Sequence, residues 1–291
     1  MFDYNCRVWV GRREGEGRSL AVIELQGIDN VRDLGGIPLA GGREVVSGLL
    51  FRGGALFSAT DADRDVLFRN LGIRCVIDVR CGWEREAKPD GDELGVENLH
   101  IPFYDLEKVG IEYTEPADGT KVVGRDVACE PVRFYRSLAN PLTVRQMGKG
   151  LNEALSRSLD GQAIYLHCSG GKDRAGIMAL LVLTVLGASR EAILEDYLYT
   201  NVARDKNYAK MFERFKRLAE GDEERAHELV VAHRAVPENL EAFYGAIDER
   251  YGGMDDFMRN QLGVTDSLRE EARAKLAIPS PSASSSGRIA P

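Results

Sequence analysis

Two hydrophobic rhythms divide this chain. In its first part the apolar residues come in short β-branched runs closed by glycines and polar turns. In its last part they recur every three to four residues, the spacing of a helix buried on one face. The runs "YNCRVWV" and "LAVIEL", joined by "GRREGEGR", predict a hairpin within residues 1–26. "NVRDLGG" (Asn30–Gly36) reads as an ordered loop and "GLLFRGGAL" as a strand and turn. In "SATDADRDVLFRNLG", Thr60 is placed to cap a helix that Gly72 ends. "IRCVIDVR" (Ile73–Arg80), "VENLHIPF" (Val96–Phe103) and "QAIYLHC" read as buried strands. "VRFYRSLAN" and "VRQMGKGLNEALSRSL" have helical periods. Further helices are predicted over 173–187, 189–200, 201–219, 222–235, 238–252, 254–261 and 264–276.

Strands alternating with helices predict an α/β fold, its central sheet mostly parallel and flanked by helices, with a helical C-terminal half. The expected organisation is an N-terminal β-hairpin extension over 1–26 and one domain over 27–278. Residues 104–145 begin with a long stretch of mixed polarity without a clear period and are expected to form a lid or insertion. The Ser/Pro-rich residues 279–291 are expected to be a disordered tail.

Composition narrows the classes. With 44% hydrophobic and 29% charged residues, the 291-residue chain has material for a large core. A formal net charge of -8 and no long basic run exclude a nucleic-acid surface. The longest apolar run, "AGIMALLVLTVLGA", is shorter than the ~18–20 residues a membrane span needs, so it predicts a buried helix and no stable membrane insertion. The five cysteines (Cys6, Cys75, Cys81, Cys129 and Cys168) are odd in number and form no CxxC pair, against both a disulfide framework and a structural zinc site. No signal-peptide pattern opens the chain. A reduced, cytoplasmic protein is expected, with export by a route without a cleaved signal as the alternative left open.

The densest chemistry lies in "LHCSGGKDRAG", Leu166–Gly176, between a predicted strand and a predicted helix. Loops at strand ends of an open α/β sheet face the ligand crevice. Gly170 and Gly171 let backbone N–H groups converge, and a helix N-terminus adds to an anion site. The guanidinium of Arg174 supplies a fork that matches two phosphate oxygens. In such a field a thiol of ordinary pKa about 8.5 can fall to ~3.5–7.5, which makes Cys168 a candidate nucleophile toward phosphorus. His167 is placed to hold the loop through a backbone hydrogen bond. A nucleotide-binding loop would need glycine at Leu166 and Ser or Thr at Asp173, so that reading fails.

Cys-x5-Arg preceded by His resembles the signature of the cysteine-dependent phosphatases. The Lys172-Asp173 pair before Arg174 is similar to that of the bacterial atypical tyrosine phosphatases. "NVRDLGG", "LLFRGGAL", "LGIRCVIDVR", "IPFYDL", "DYLYTN" and "AIDERYGG" resemble that family's blocks, in its order, from about Gly27 to Leu276. The resemblance implies the cysteine-dependent phosphatase fold over 27–278. It implies hydrolysis of phosphotyrosine, of phosphoserine or phosphothreonine in some members, and of phosphoinositides. It makes Cys168 the nucleophile and Arg174 the phosphate clamp, with Ser169, Gly170, Gly171, Lys172 and Asp173 lining a site for phosphate or another oxyanion. Lys172 is the residue associated with lipid headgroup phosphates. Asp105 in "IPFYDL" and Asp173 are the two candidates for general acid, with Asp105 favoured. No metal and no cofactor are expected. Ala175 departs from the family, which often has Thr or Ser there, and implies slower breakdown of a phosphocysteine. Two rival classes stay open: an inactive phosphate-binding pseudophosphatase and a rhodanese-like sulfur transferase.

Other residues have both a structural and a functional reading. Asp78, Arg80, Arg32 and Asp33 suit ion-pair networks near the loop, and Arg52 can point to the pocket or brace it. Cys81 can approach Cys168 as a reversible disulfide partner. Asp61, Asp63 and Asp65 mimic the start of a calcium loop, but Val66 stands where glycine is needed. His227 and His233 are too far apart along a helix to share a metal.

Overall fold

The computed structural model describes residues 8–10, 21–103, 113–114, 122–123 and 131–281. Strand β1 (Val8–Val10) pairs antiparallel with β2 (Ala21–Ile23). Then come β3 (Arg32–Asp33), β4 (Pro38–Leu39), β5 (Arg43–Val45) and β6 (Leu50–Gly53). Helix α1 (Asp61–Arg64) continues through a wider turn to Asn70. It leads to β7 (Ile73–Asp78), α2 (Gly82–Ala87) and β8 (Glu97–His100). Two short strands, β9 (Tyr113–Thr114) and β10 (Val122–Val123), pair with each other. Helices α3 (Pro131–Ser137) and α4 (Pro141–Leu159) precede β11 (Ala163–His167). The rest is helical: α5 (Asp173–Leu186), α6 (Arg190–Ala203), α7 (Asp205–Leu218), α8 (Glu223–Ala232), α9 (Pro237–Tyr251), α10 (Met254–Asp256) and α11 (Asp266–Leu276). Strand β12 (Ala277–Pro279) follows.

The main sheet has the order β1-β2-β3-β6-β11-β7-β8. Its four strands β6, β11, β7 and β8 are parallel, and β1, β2 and β3 extend it antiparallel. The expected α/β architecture with a mostly parallel centre is the one observed. Alternate residues of the central strands serve different cores. Leu50, Cys75, Ile77, Ile164 and Leu166 face one apolar cluster; Phe51, Val76 and Tyr165 face the other. Burial on both faces explains why these strands read as continuous apolar runs. Helix α5 packs beneath the sheet with twelve of its fourteen residues buried, so its apolar run is a core helix. Among the described residues no helix is long and apolar enough to cross a membrane.

Local signals set several boundaries. Thr60 accepts from the Asp63 amide, and Asp63 accepts from the Thr60 amide in return. Asp63 also accepts from the Gln26 and Gly27 amides, so the acidic turn at Asp61–Asp65 is a cap that ties down the entry to the domain. Asn140 caps α4 ahead of Pro141, and Gly187 ends α5 in the left-handed region at φ 93°. The stretch read as an ordered loop contains β3, because Arg32 and Asp33 pair with Arg52 and Phe51. Residues 131–145, expected as part of a lid, form α3 and the start of α4. Tyr135, Leu138, Ala139 and Val144 are buried in the larger core. Residues 104–112, 115–121 and 124–130 of that segment lie outside the described ones. Pro279, assigned to a disordered tail, ends β12, where backbone pairing with β5 holds it. His227 and His233 pack on Phe212 and Phe215 within the α7–α8 hairpin.

Candidate active site

The loop Cys168–Lys172 joins the C-terminal end of the central strand β11 to the N-terminus of α5. It is shaped by what reaches it from outside. The His167 carbonyl accepts from the Val79 amide at 3.0 Å, and the Ser169 carbonyl from the Ala55 amide at 3.3 Å. The Gly170 carbonyl accepts from Asn30 Nδ2 at 3.1 Å. Arg52 Nη2 donates to the carbonyls of Gly171, at 2.7 Å, and Lys172, at 3.2 Å. The imidazole Nδ1 of His167 lies 3.3 Å from the Cys168 carbonyl. With its carbonyls engaged from outside, such a turn aims its N–H groups at the space it encloses, which is how backbone binds an anion. Gly171 has φ 66°, and a Cβ there would stand 2.4 Å from the backbone carbon of Gly53. The glycines of "FRGG" and "SGGK" are thus one close approach of two backbones.

Arg52 is fully buried and braces the loop instead of facing the pocket. Asp196, on α6, sits between Arg52 and Arg32. Its Oδ1 accepts from Arg32 Nε at 2.6 Å and its Oδ2 from Arg52 Nη1. Burial alone would raise the Asp196 carboxyl, but the two guanidiniums outweigh it and hold it below the usual carboxylate range. Burial and the neighbouring Arg52 pull Arg32 down to about 10. On the other flank, Arg80 bridges Asp78 (2.7 Å) and Asp90 beneath His167, whose Nε2 lies 3.5 Å from Asp90 Oδ2. Ligand atoms of Asp78, Asp90 and His167 gather within 4.8 Å. The Arg80 guanidinium already stands between the two carboxylates, so the cluster serves as a buried ion-pair brace. Asp33 accepts from the Gly35 and Gly48 amides, a turn-forming role away from the loop.

Inside the mouth, Cys168 is 2% and Arg174 8% exposed. Both Arg174 terminal nitrogens donate to Glu84 on α2, Nη2 to Oε1 at 2.8 Å and Nη1 to Oε2. Glu84 also accepts from Ser169 Oγ and from the Cys81 amide at 2.9 Å. Burial opposes the charge on Glu84, yet Arg174, Ser169 and the Cys81 amide hold its carboxyl far below the ordinary range. The guanidinium is thereby fixed in plane across the loop. Cys81 Sγ lies 3.7 Å from Arg174 Nη1, and among the described residues no disulfide joins Cys81 to Cys168.

Asp173 is the first residue of α5. Its Oδ1 accepts from the Tyr135 hydroxyl at 2.7 Å and lies 3.3 Å from Lys172 Nζ. The Tyr135 hydroxyl is 2.7 Å from that of Tyr197, which accepts from Asn239 Nδ2 at 2.9 Å. Burial favours the neutral acid at Asp173; Lys172, the Tyr135 hydroxyl and Arg174 prevail and lower it. Lys172 is 6% exposed and donates to the His233 carbonyl at 2.6 Å, which pins the α8 end to the loop. Ala175 is fully buried behind the loop. Asp105, the other candidate acid, lies outside the described residues.

The structure therefore gathers Cys168 through Arg174 at one mouth and sets His167, Asp78, Arg80 and Arg52 beneath it. Sequence reasoning missed Glu84, Asp90, Asp196, Tyr135, Tyr197 and Asn239. Only Glu84 left a local signal, three residues after the capping position Cys81.

Comparison with known proteins agrees with this geometry. Residues 23–278 match the tyrosine phosphatase family. A Cupriavidus necator protein that carries a tyrosine-protein phosphatase name is 30% identical over 245 residues, 81% of this chain and 82% of that protein. The triple specificity protein phosphatase PtpB of Mycobacterium tuberculosis is 29% identical over 282 residues, 88% of this chain and 99% of that protein. The crystal structure of P. aeruginosa TpbA shows a weak likeness, at TM-score 0.33 and 14% identity over 69% of this chain and 90% of that one. A match over nearly the whole folded part, with the Cys168–Arg174 loop inside it, establishes that the chain belongs to the tyrosine phosphatase family.

Proposed function

We propose that this chain hydrolyses phosphomonoesters through a cysteinyl-phosphate formed on Cys168. Phosphotyrosine hydrolysis is the activity of the family to which it belongs. The observation that carries the mechanism is the loop itself: a thiol at its start, an arginine held in plane by Glu84 at its end, and carbonyls turned outward. The Cys168 thiolate attacks phosphorus, the bond from phosphorus to the ester oxygen breaks, and that oxygen leaves with a proton. Arg174 and the loop N–H groups stabilise the charge on the non-bridging oxygens as it develops. Water then cleaves the bond between sulfur and phosphorus, releasing phosphate and restoring the thiolate.

The two candidate acids differ in what surrounds them. Asp173 accepts from a hydroxyl and faces an ammonium, which suits a carboxylate without a proton to give. Its role in this reading is to anchor Lys172 and the Tyr135–Tyr197 pair, while Asp105 protonates the leaving oxygen. The substrate range extends to phosphoserine, phosphothreonine and phosphoinositides. The triple specificity named for the M. tuberculosis relative and the Lys172-Asp173 pair support that extension.

Hydrolysis of an aryl phosphate in the presence of a chelator tests the core of the reading. Wild type is expected to turn over and trap a phosphocysteine on acid quench, and Cys168→Ser to lose all turnover while still binding phosphate. Binding without turnover in the wild type would instead mark a pseudophosphatase, and sulfur transfer from thiosulfate a rhodanese-like enzyme.

A further inference from the structure

Three cations stand beside the catalytic loop on the side of the α7–α8 hairpin. One is committed: Lys172 donates to the His233 carbonyl and faces Asp173. The other two are Arg204, at the junction of α6 and α7, and Arg234, just after α8. Arg204 lies against the loop itself. A Cβ added to Gly170 would stand 3.0 Å from its guanidinium carbon, so glycine at this position makes room for the arginine. Its Nη2 donates to Asn207 Oδ1 at 3.0 Å, while its buried Nε has no acceptor among the described residues. Arg234 reaches the same place from α8. The two guanidinium carbons lie 5.4 Å and 4.9 Å from the centre of one ring, that of Tyr208. Among the described residues neither arginine has a carboxylate partner.

Two guanidiniums drawn onto one ring repel each other, and among the described residues the buried Nε of Arg204 is a donor without an acceptor. Both costs are relieved by a shared anion, for which the planar arginine fork is suited. The place of Arg204 over Gly170, where a Cβ would otherwise stand, puts that anion at the level of the loop. A side chain elsewhere on a phosphotyrosine peptide would lie at the rim instead, a tyrosine's length from the reacting phosphorus. A second phosphate on the same small ring as the first lies at the right depth.

We propose that Arg204 and Arg234 form a second anion subsite beside the Cys168 loop. Its ligand is the neighbouring phosphate of a substrate that carries two phosphates on one small ring, as a bisphosphorylated inositol headgroup does. The proposal rests on the phosphatase reading above and specifies its substrate. Arg204 and Arg234 are specificity residues in it: they bind the part of the substrate that does not react.

The test is the ratio of kcat/KM for inositol bisphosphate to that for inositol monophosphate. It is measured with the soluble compounds, and again with phosphatidylinositol bisphosphate and monophosphate in phosphatidylcholine vesicles. Wild type is expected to favour the bisphosphate. The double variant Arg204→Gln/Arg234→Gln is expected to lower the ratio about tenfold, mainly through KM, which is the size of one lost charge-assisted hydrogen bond. Arg204→Lys keeps the charge without the fork and should fall between, which guards against a double variant that does not fold. A preference present in solution locates recognition in the headgroup, and one seen on vesicles alone assigns the lipid as its source. A ratio equal in wild type and variants overturns the subsite. So does a loss confined to a tyrosine phosphopeptide with an acidic neighbour. Failure of wild type to hydrolyse any of these substrates or an aryl phosphate would sink the phosphatase reading instead.

Discussion

Two arginines grip the same seven-residue loop and do opposite work. Arg52 lies beneath it, wholly buried, shares Asp196 with Arg32 and holds the carbonyls of Gly171 and Lys172. Arg174 lies at the mouth, slightly exposed, and is held by Glu84. The first turns both terminal nitrogens to backbone and to a carboxylate that solvent cannot reach, so it sets shape. The second is held by a carboxylate at the open end of the loop and stays slightly exposed there, where a ligand can meet it. One residue type yields a structural brace or a candidate phosphate clamp according to whether its partners close it off from solvent.

That contrast is broken most severely at Asp196. Asp196→Asn leaves two buried guanidiniums with one neutral partner and should cost about 3–5 kcal/mol of unfolding free energy at pH 7. The same variant tests the pH dependence. Asp196 in the folded protein titrates below its ordinary value of about 4. The stability it contributes is therefore complete above that value and is lost as pH falls through the folded one. Urea unfolding at pH 7 and at pH 3.5 should show wild type losing more stability than the variant. Equal stabilities at pH 7 would reduce Arg52 and Asp196 to bystanders.

A second effect concerns the proton at the mouth. Asp105→Asn should slow aryl phosphates with poor leaving groups by about a hundredfold and spare those with good ones. Asp173→Asn should lower both alike, because it disturbs Lys172 and Tyr135 without removing the acid. The opposite pattern would reassign the acid to Asp173 and move Tyr135 and Tyr197 into the proton path.

The smallest effect sharpens the role of Glu84. Glu84→Gln weakens the hold on Arg174 and should reduce kcat/KM about tenfold on an aryl phosphate. Its loss of stability should be well below that of Asp196→Asn. A stability loss as large as the one at Asp196 would mean that the two arginines play the same part.

What the sequence could say by itself followed from short-range rules. Apolar period separated strands from helices, and the α5 run was legible as a core helix because it is too short to span a membrane. Thr60, Pro237 and Gly252 marked ends that the structure has where they indicate, since caps and left-handed turns depend on adjacent residues. The Cys168–Arg174 loop was legible for the same reason: its thiol, glycines and arginine are neighbours in the chain. Strand lengths and the placing of 131–145 were not, because they depend on which residues the sheet and core take up.

The partners of those neighbours were decided by tertiary structure alone. Glu84 meets Arg174 across 90 residues, and Asp196 meets Arg52 across 144. No period or motif encodes such pairs, because each depends on which strand end lies beside which helix. Thus the sequence by itself determined the fold class and singled out the candidate reacting groups. Only the folded chain decided that Arg52 is closed off beneath the loop while Glu84 holds Arg174 at its mouth, that Asp173 is surrounded by donors, and that, among the described residues, Arg204 and Arg234 stand beside the loop without carboxylate partners. The physical reason is that burial and charge pairing belong to the packed interior, while reactivity begins with the residue types themselves.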